Sequence, residues 1–281
     1  MLIRHDLKLV FLHVPKCAGK ELRRVLSKGS AEGSLESLFN YDFCPVVRRY
    51  IDLAHIPLSD LRHRPQFSWL SQYTTIACVH NPYSRLRSAA TEFYRQRSKA
   101  DEQTANANLL SRDQRWNYYR QLPNRHSQQD PRFIHSQPMH CFTHLGDQPM
   151  VDHLVRCETL LSDLLSLAKM LQWPATLVEE AQRSLRDAGP NSTDWEPEEL
   201  AVANQLYEHD FKLFGYIRLQ EPSVGASWPN GWRNLEEQLH PQSCEASQLE
   251  LIHAANHVNW HWGPEASKPK QLSLRATRVD A

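Results

Sequence analysis

The feature that most constrains this fold is a strand that runs straight into a helix through His13-Val14-Pro15-Lys16-Cys17-Ala18-Gly19-Lys20. Residues 8–13 (K-L-V-F-L-H) are an apolar, β-rich burst, and residues 20–27 (K-E-L-R-R-V-L-S) place Leu22, Val25 and Leu26 at helical spacing. The Pro, Lys and Gly between them mark a tight turn. The same grammar recurs at 74–79 (T-T-I-A-C-V), followed by His80-Asn81-Pro82 and a predicted helix over 83–97. A third strand is expected over 150–155 and a helix over 158–171. Further helices are expected near 107–121, over 175–188 and over 197–213, with Pro197 in the first turn. Strands alternating with helices predict an α/β fold, three layers with a central, mainly parallel sheet flanked by helices.

The first turn has the chemistry of an anion site. Backbone N–H groups at a helix start lack intrahelical acceptors, and the helix dipole adds positive charge there. Ala18 and Gly19 are small enough to let an oxyanion reach the backbone, and Lys16 and Lys20 add full charges. A nucleoside-triphosphate loop would read G-x-x-x-x-G-K followed by Ser or Thr. Here position 14 is Val and position 21 is Glu, so the magnesium-binding hydroxyl is replaced by an acid. A kinase reading is disfavoured on that ground, and ATP-dependent phosphorylation with Mg²⁺ is its test.

The run H-V-P-K-C-A-G-K-E-L resembles the 5′-phosphosulfate loop of carbohydrate (Golgi-type, family 2) sulfotransferases, which use 3′-phosphoadenosine 5′-phosphosulfate (PAPS) and release PAP. The resemblance implies a P-loop-like fold, with Lys16 on the phosphosulfate and Cys17, Ala18, Gly19, Lys20, Glu21 and Leu22 wrapping the 5′-phosphate. Lys20 and Glu21 stand where hydroxyl residues are usual. The segment Val79-His80-Asn81-Pro82-Tyr83-Ser84-Arg85-Leu86-Arg87-Ser88 resembles the family's 3′-phosphate motif. Carried over by position, His80 and Ser88 are the 3′-phosphate ligands. The family has Arg where His80 stands. A neutral imidazole lacks the guanidinium fork, so either His80 works protonated, or Arg85 or Arg87 compensates, or the donor is held weakly. Residues 151–160 (V-D-H-L-V-R-C-E-T-L) and 190–216 resemble later family segments, with Asn191-Ser192-Thr193 read as a lid and Asp210, Phe211, Phe214 and Tyr216 as packing residues.

Sulfuryl transfer asks for alignment, charge stabilisation at the leaving oxygen and a base for the acceptor. The resemblance implies a catalytic base at His55, in D-L-A-H-I-P-L-S-D-L, with Lys16 steadying the leaving group. The other reading of His55 is a cap or packing residue for the following helix. His135, near Gln137 in a stretch resembling another family segment, is the reserve base.

The rest of the chain sets bounds. With 41% hydrophobic and 23% charged residues it can bury a core. The net charge of zero argues against a nucleic-acid binder, although Lys and Arg outnumber Asp and Glu by 21 to 13 over residues 1–150, a bias that suits a small polyanion. Six cysteines lie far apart without a C-x-x-C pair and read as reduced thiols. No transmembrane or signal segment is legible, so a cytoplasmic location is expected. The expected division is a catalytic domain over 1–219 and an appendage over 220–281, which holds four of the eight tryptophans. His253, His257 and His261 there are four apart, but no acid or cysteine joins them, so no metal is expected. Trp228, Trp232, Trp260 and Trp262 either stack on sugars or pin the tail. The expected partners are the nucleotide co-substrate and a glycan or other small hydroxyl or amine acceptor. A degenerate relative that binds nucleotide or glycan without turnover is the alternative function.

Overall fold

The computed structural model describes residues 1–98, 110–123, 131–189 and 194–220. The expected lid at 191–193 and the segment 221–281, with its histidines and tryptophans, lie outside the described residues. In chain order the elements are β1 (Leu2–Arg4), β2 (Leu9–Leu12), α1 (Gly19–Leu26), β3 (Leu35–Ser37), β4 (Tyr41–Cys44), β5 (Arg49–Asp52), α2 (Leu58–Leu61), β6 (Thr74–Val79), α3 (Pro82–Ser98) and α4 (Arg112–Tyr119). They continue with α5 (His140–Thr143), β7 (His144–Leu145), β8 (Gln148–Pro149), β9 (His153–Arg156), α6 (Leu160–Met170), α7 (Ala175–Ser184), α8 (Pro197–Leu206) and α9 (Glu208–Phe214).

Five strands form the central sheet in the order β3-β1-β2-β6-β9. β2, β6 and β9 are parallel, with Leu9 opposite Thr74 and Ile76 opposite His153. β1 runs antiparallel to both β2 and β3. The sheet is therefore mixed, which corrects the expectation of a mainly parallel one. The antiparallel half is built on a tight β1–β2 hairpin closed through Lys8 in the left-handed region, a turn without a Gly or Pro signal. All of β2 is buried, as suits an inner strand covered on both faces.

Two packed cores adjoin at residues 133–134, with Phe133 in one and Ile134 in the other, and Tyr216 packs against both. One joins the sheet to α1, α6 and α7 through residues such as Phe11, Leu22, Ile76, Leu164 and Leu177. The other gathers Tyr83, Phe93, Tyr118, Phe133, Val202 and Phe211 around α3, α4, α8 and α9. The expected helix over 197–213 is two helices, because Tyr207 leaves helical geometry (φ −115°, ψ 25°) and donates its hydroxyl to the Ser136 carbonyl at 2.9 Å. The third strand starts at His153 because 144–149 form a small hairpin of their own. Among the described residues no helix is long and apolar enough to cross a membrane.

This topology decides where a ligand can go. Parallel neighbours β2 and β6 end side by side, so the turn at 13–18 and the junction at His80 leave the sheet at the same carboxyl edge. In open α/β sheets that edge is where ligands bind.

Candidate active site

At the end of β2 the chain turns through Lys16 (φ 62°) and Ala18 (φ 51°), both in the left-handed region. Side chains other than glycine pay about 1–3 kcal/mol for that geometry, and it is held here by surrounding contacts. Interleaving left-handed with ordinary residues turns successive N–H groups toward one side, the form of an anion-binding concavity. Ala18 is the N-cap of α1 and offers no side-chain acceptor to its first turn. Residues 18–21 line a cleft of about 460 Å³, together with His13, Lys16, His55, Ser88, Glu92, Arg95 and His135.

Opposite the turn, α3 presents Ser88, Glu92 and Arg95, spaced so that they share a helix face. Glu92 is 7% exposed and accepts from Lys16 Nζ at 3.1 Å, Arg95 Nε at 3.0 Å and Gln96 Nε2 at 2.9 Å. Burial alone would raise its carboxyl, but the Arg95 hydrogen bonds and the Lys16 charge hold it below the usual carboxylate range.

Three imidazoles form the third wall. The His55 ring lies 4.5 Å from His13 and 5.1 Å from His135, centroid to centroid. Asp52 Oδ2 sits 2.9 Å from His55 Nδ1. Burial pushes the Asp52 carboxyl up, but the His55 charge and hydrogen bond and the Ala54 N–H, which donates to Asp52, outweigh it and hold it low. An ionised carboxylate can only accept, so Nδ1 of His55 carries a proton and donates it to Asp52. Burial, followed by the His55 charge, drives His13 and His135 well below the ordinary imidazole value.

Of the residues expected at the site, Lys16, Ala18, Gly19, Lys20, Glu21, His55 and Ser88 come together in this cleft, as does the reserve His135. Cys17, Leu22, His80 and Arg85 do not line it. Cys17 and Leu22 are fully buried behind the turn. Arg85 is fully buried and donates to the carbonyls of Pro15 (Nε, 3.0 Å) and Gln137 (Nη2, 2.5 Å). His80 Nδ1 lies 3.2 Å from the Lys16 carbonyl, and burial lowers its pKa against the opposing charge of Glu158. Arg87 pairs with Glu199 and stacks over Trp195. Asp210, expected as a packing residue, is a buried acceptor for the Met139 N–H (2.7 Å), the His140 N–H (2.9 Å) and His140 Nδ1 (2.8 Å).

Sequence reasoning passed over Glu92, Arg95 and Asp52. The signal was present: Glu92 and Arg95 follow Ser88 at four and seven positions on one predicted helix, and Asp52 precedes His55 by three.

The sequence profile of the sulfotransferase family matches residues 1–217. The chain belongs to the sulfotransferase family. The resemblance to its carbohydrate type is consistent with that match. Neither a curated protein nor a solved structure matches the chain. Acids of the segment 151–160 tie the sheet together at both ends of β6. Asp152 accepts from the Thr75 N–H of β6 at 2.7 Å, and Glu158 accepts from the Asn81 N–H at 2.7 Å and the Tyr216 hydroxyl at 3.0 Å. Among the described residues no group of three or more His, Cys, Asp or Glu side chains is arranged to hold a metal ion.

Proposed function

We propose that this sulfotransferase, on a P-loop-like fold, moves the sulfuryl group of PAPS to a hydroxyl or amine of an acceptor, with a carbohydrate as the preferred class. The observation that carries this reading is the single cleft that joins the anion-binding turn, Ser88 and the Asp52–His55 pair. The turn and the first N–H groups of α1 take the 5′-phosphosulfate end, with Lys16 and Lys20 supplying charge. Ser88 takes the 3′-phosphate. The contacts of His80 and Arg85 favour a supporting role, in which they hold the carbonyls of Lys16 and Pro15 from behind.

In the transfer, His55 Nε2 accepts the acceptor's proton while Nδ1 stays on Asp52. The acceptor oxygen or nitrogen bonds to sulfur as the bond from sulfur to the 5′-phosphate oxygen breaks. Lys16 steadies the charge that gathers on that leaving oxygen, and PAP departs. Incubation with radiolabelled PAPS and a panel of desulfated glycans tests the reading. His55→Ala is expected to depress turnover while leaving PAP affinity nearly intact, and loss of PAP binding instead would reassign His55.

A second reading, binding without turnover, is favoured by the two carboxylates that line the cleft, Glu21 and the Lys16-bound Glu92. PAP binding with no transfer to any acceptor in the same panel would support it.

A further inference from the structure

His13 opens the turn, yet neither the loop chemistry nor the base assignment uses it. Its ring is wedged between the two. On one side it lies on the Cα of Gly19: a Cβ built there would stand 1.8 Å from His13 Nε2 and 1.9 Å from Cδ2. No side chain larger than hydrogen fits at 19 unless this ring moves. On the other side the ring is 4.5 Å from His55, tilted by 54°. A third neighbour, Phe11, stacks on it at 5.9 Å from the same strand. Only 8% of His13 is exposed, and its buried Nδ1 has no hydrogen-bond partner. A polar atom left bare at such a place is costly, about 1–3 kcal/mol, so the ring is there for its shape and for what its other edge meets.

The consequence is geometric. Residues 14–18 arch from His13 to Gly19, and the ring-on-glycine contact pins the two ends of the arch together. The other face of the same ring abuts the imidazole of the Asp52–His55 pair. The turn comes from the β2–α1 segment and the pair from the end of β5, with one side chain between them.

We propose that His13 is a positioning residue for sulfuryl transfer, the side chain that holds the phosphate-binding turn and the Asp52–His55 pair at a fixed separation. This rests on the donor and base assignments proposed above. His13→Ala removes the wedge, and misplacing the base by about 1 Å is expected to lower kcat about a hundredfold while the KM for PAPS changes only severalfold. His13→Phe restores a flat ring without either nitrogen, and it is expected to recover most of kcat. A His13→Phe variant that folds and binds PAP but stays as slow as His13→Ala would overturn the proposal, because a nitrogen would then be doing the work.

A second measurement needs no acceptor. With histidine rings isotopically labelled, PAP is expected to move the His55 ring signals in the wild-type protein and to leave them in place in His13→Ala at saturating PAP. Equal movement in both proteins overturns the wedge while leaving the donor assignment intact. Absence of any PAP binding to the wild-type protein sinks the donor assignment, and this inference with it.

Discussion

The two strand-to-helix junctions at the carboxyl edge of the sheet look alike in sequence and are opposite in construction. After β2, α1 begins at a cap with no side-chain acceptor, behind a turn through two left-handed residues, and its first residues line the cleft. After β6, the start of α3 satisfies its own donors. Pro82 has no N–H, Asn81 Oδ1 accepts from Tyr83 N at 3.0 Å and Ser84 N at 3.3 Å, and the Asn81 carbonyl accepts from Arg85 N at 2.9 Å. The Asn81 N–H itself is bound by Glu158. The first junction thus leaves its helix start without a side-chain acceptor, which is what the proposed oxyanion site requires. The second is built as a fixed post, and its helix reaches the cleft only farther along, through Ser88, Glu92 and Arg95. A strand, a short turn and a helix do not by themselves make an anion site; an unmet demand for acceptors does.

The largest way to break that contrast is Lys16→Ala. Removal of a preorganised charge from the receiving junction is expected to cost turnover a factor of about 10² to 10³. An unchanged rate constant for transfer from PAPS would take Lys16, and the receiving role of this junction, out of the mechanism. Next in size is Gly19→Ala. Its new Cβ meets the His13 ring, and an overpacked, well-ordered site loses about 1–3 kcal/mol. The expected result is a lower unfolding midpoint in urea together with weaker PAP binding. A variant with both unchanged would show that the ring moves freely, against the tight seating argued for it.

Much of this site was legible before any coordinates. The strand ends at 12 and 79 and the helix starts at 19 and 82 fall within a residue or so of where apolar periodicity and the Pro-Lys-Gly turn place them. Lys16, Gly19, Ser88 and His55 reach one cleft. What stayed hidden depended on direction rather than spacing. His80 and Arg85 lie in the expected motif, but their side chains turn to the carbonyls of Lys16 and Pro15, a choice set by tertiary acceptors that a sequence does not display. The antiparallel strands β1 and β3 are three residues each, too short for a period-two pattern to stand out. The buried Arg4 looks like a surface charge in the sequence. In the fold it donates to the Leu26 and Lys28 carbonyls and closes the end of α1.

A smaller effect is expected at the fixed post. Asn81→Ala removes the acceptor for two helix-start donors and is expected to cost about 1 kcal/mol of stability, the usual loss of such a cap. Turnover should fall far less than for Lys16→Ala. Were Asn81→Ala to abolish PAP binding with stability unchanged, this junction would be a ligand site after all, and the contrast between the two would fail.

The smallest predicted effect concerns acid, and it touches both junctions. Burial lowers the pKa of His13 beside the first and of His80 at the second, as it does for His135. A group whose folded pKa lies below its unfolded value binds its proton first in the unfolded chain. Its contribution to stability is therefore complete above the free imidazole value, about 6.5, and is lost as pH falls through and below it. His140 has the opposite sign. Burial works against its charge, but Asp210 holds the proton and raises it to about 10, so its contribution is present below 6.5 and fades as pH climbs toward 10. Urea midpoints measured between pH 7.5 and 5 should accordingly fall for the wild-type protein. His13→Phe removes one proton uptake at the receiving junction, and His80→Gln removes one at the post, where Lys16, Arg85 and Glu158 are the charged neighbours. Each variant should flatten the acid limb. The larger flattening is expected from His13, because the Glu158 carboxylate partly offsets the burial of His80, while the groups around His13 (His55, the N-terminal amine, Arg23 and His135) all act in the same direction as its burial. A steeper limb in either variant would mean that the imidazole it replaced is charged in the folded protein, and the neutral-ring picture of that junction would be wrong.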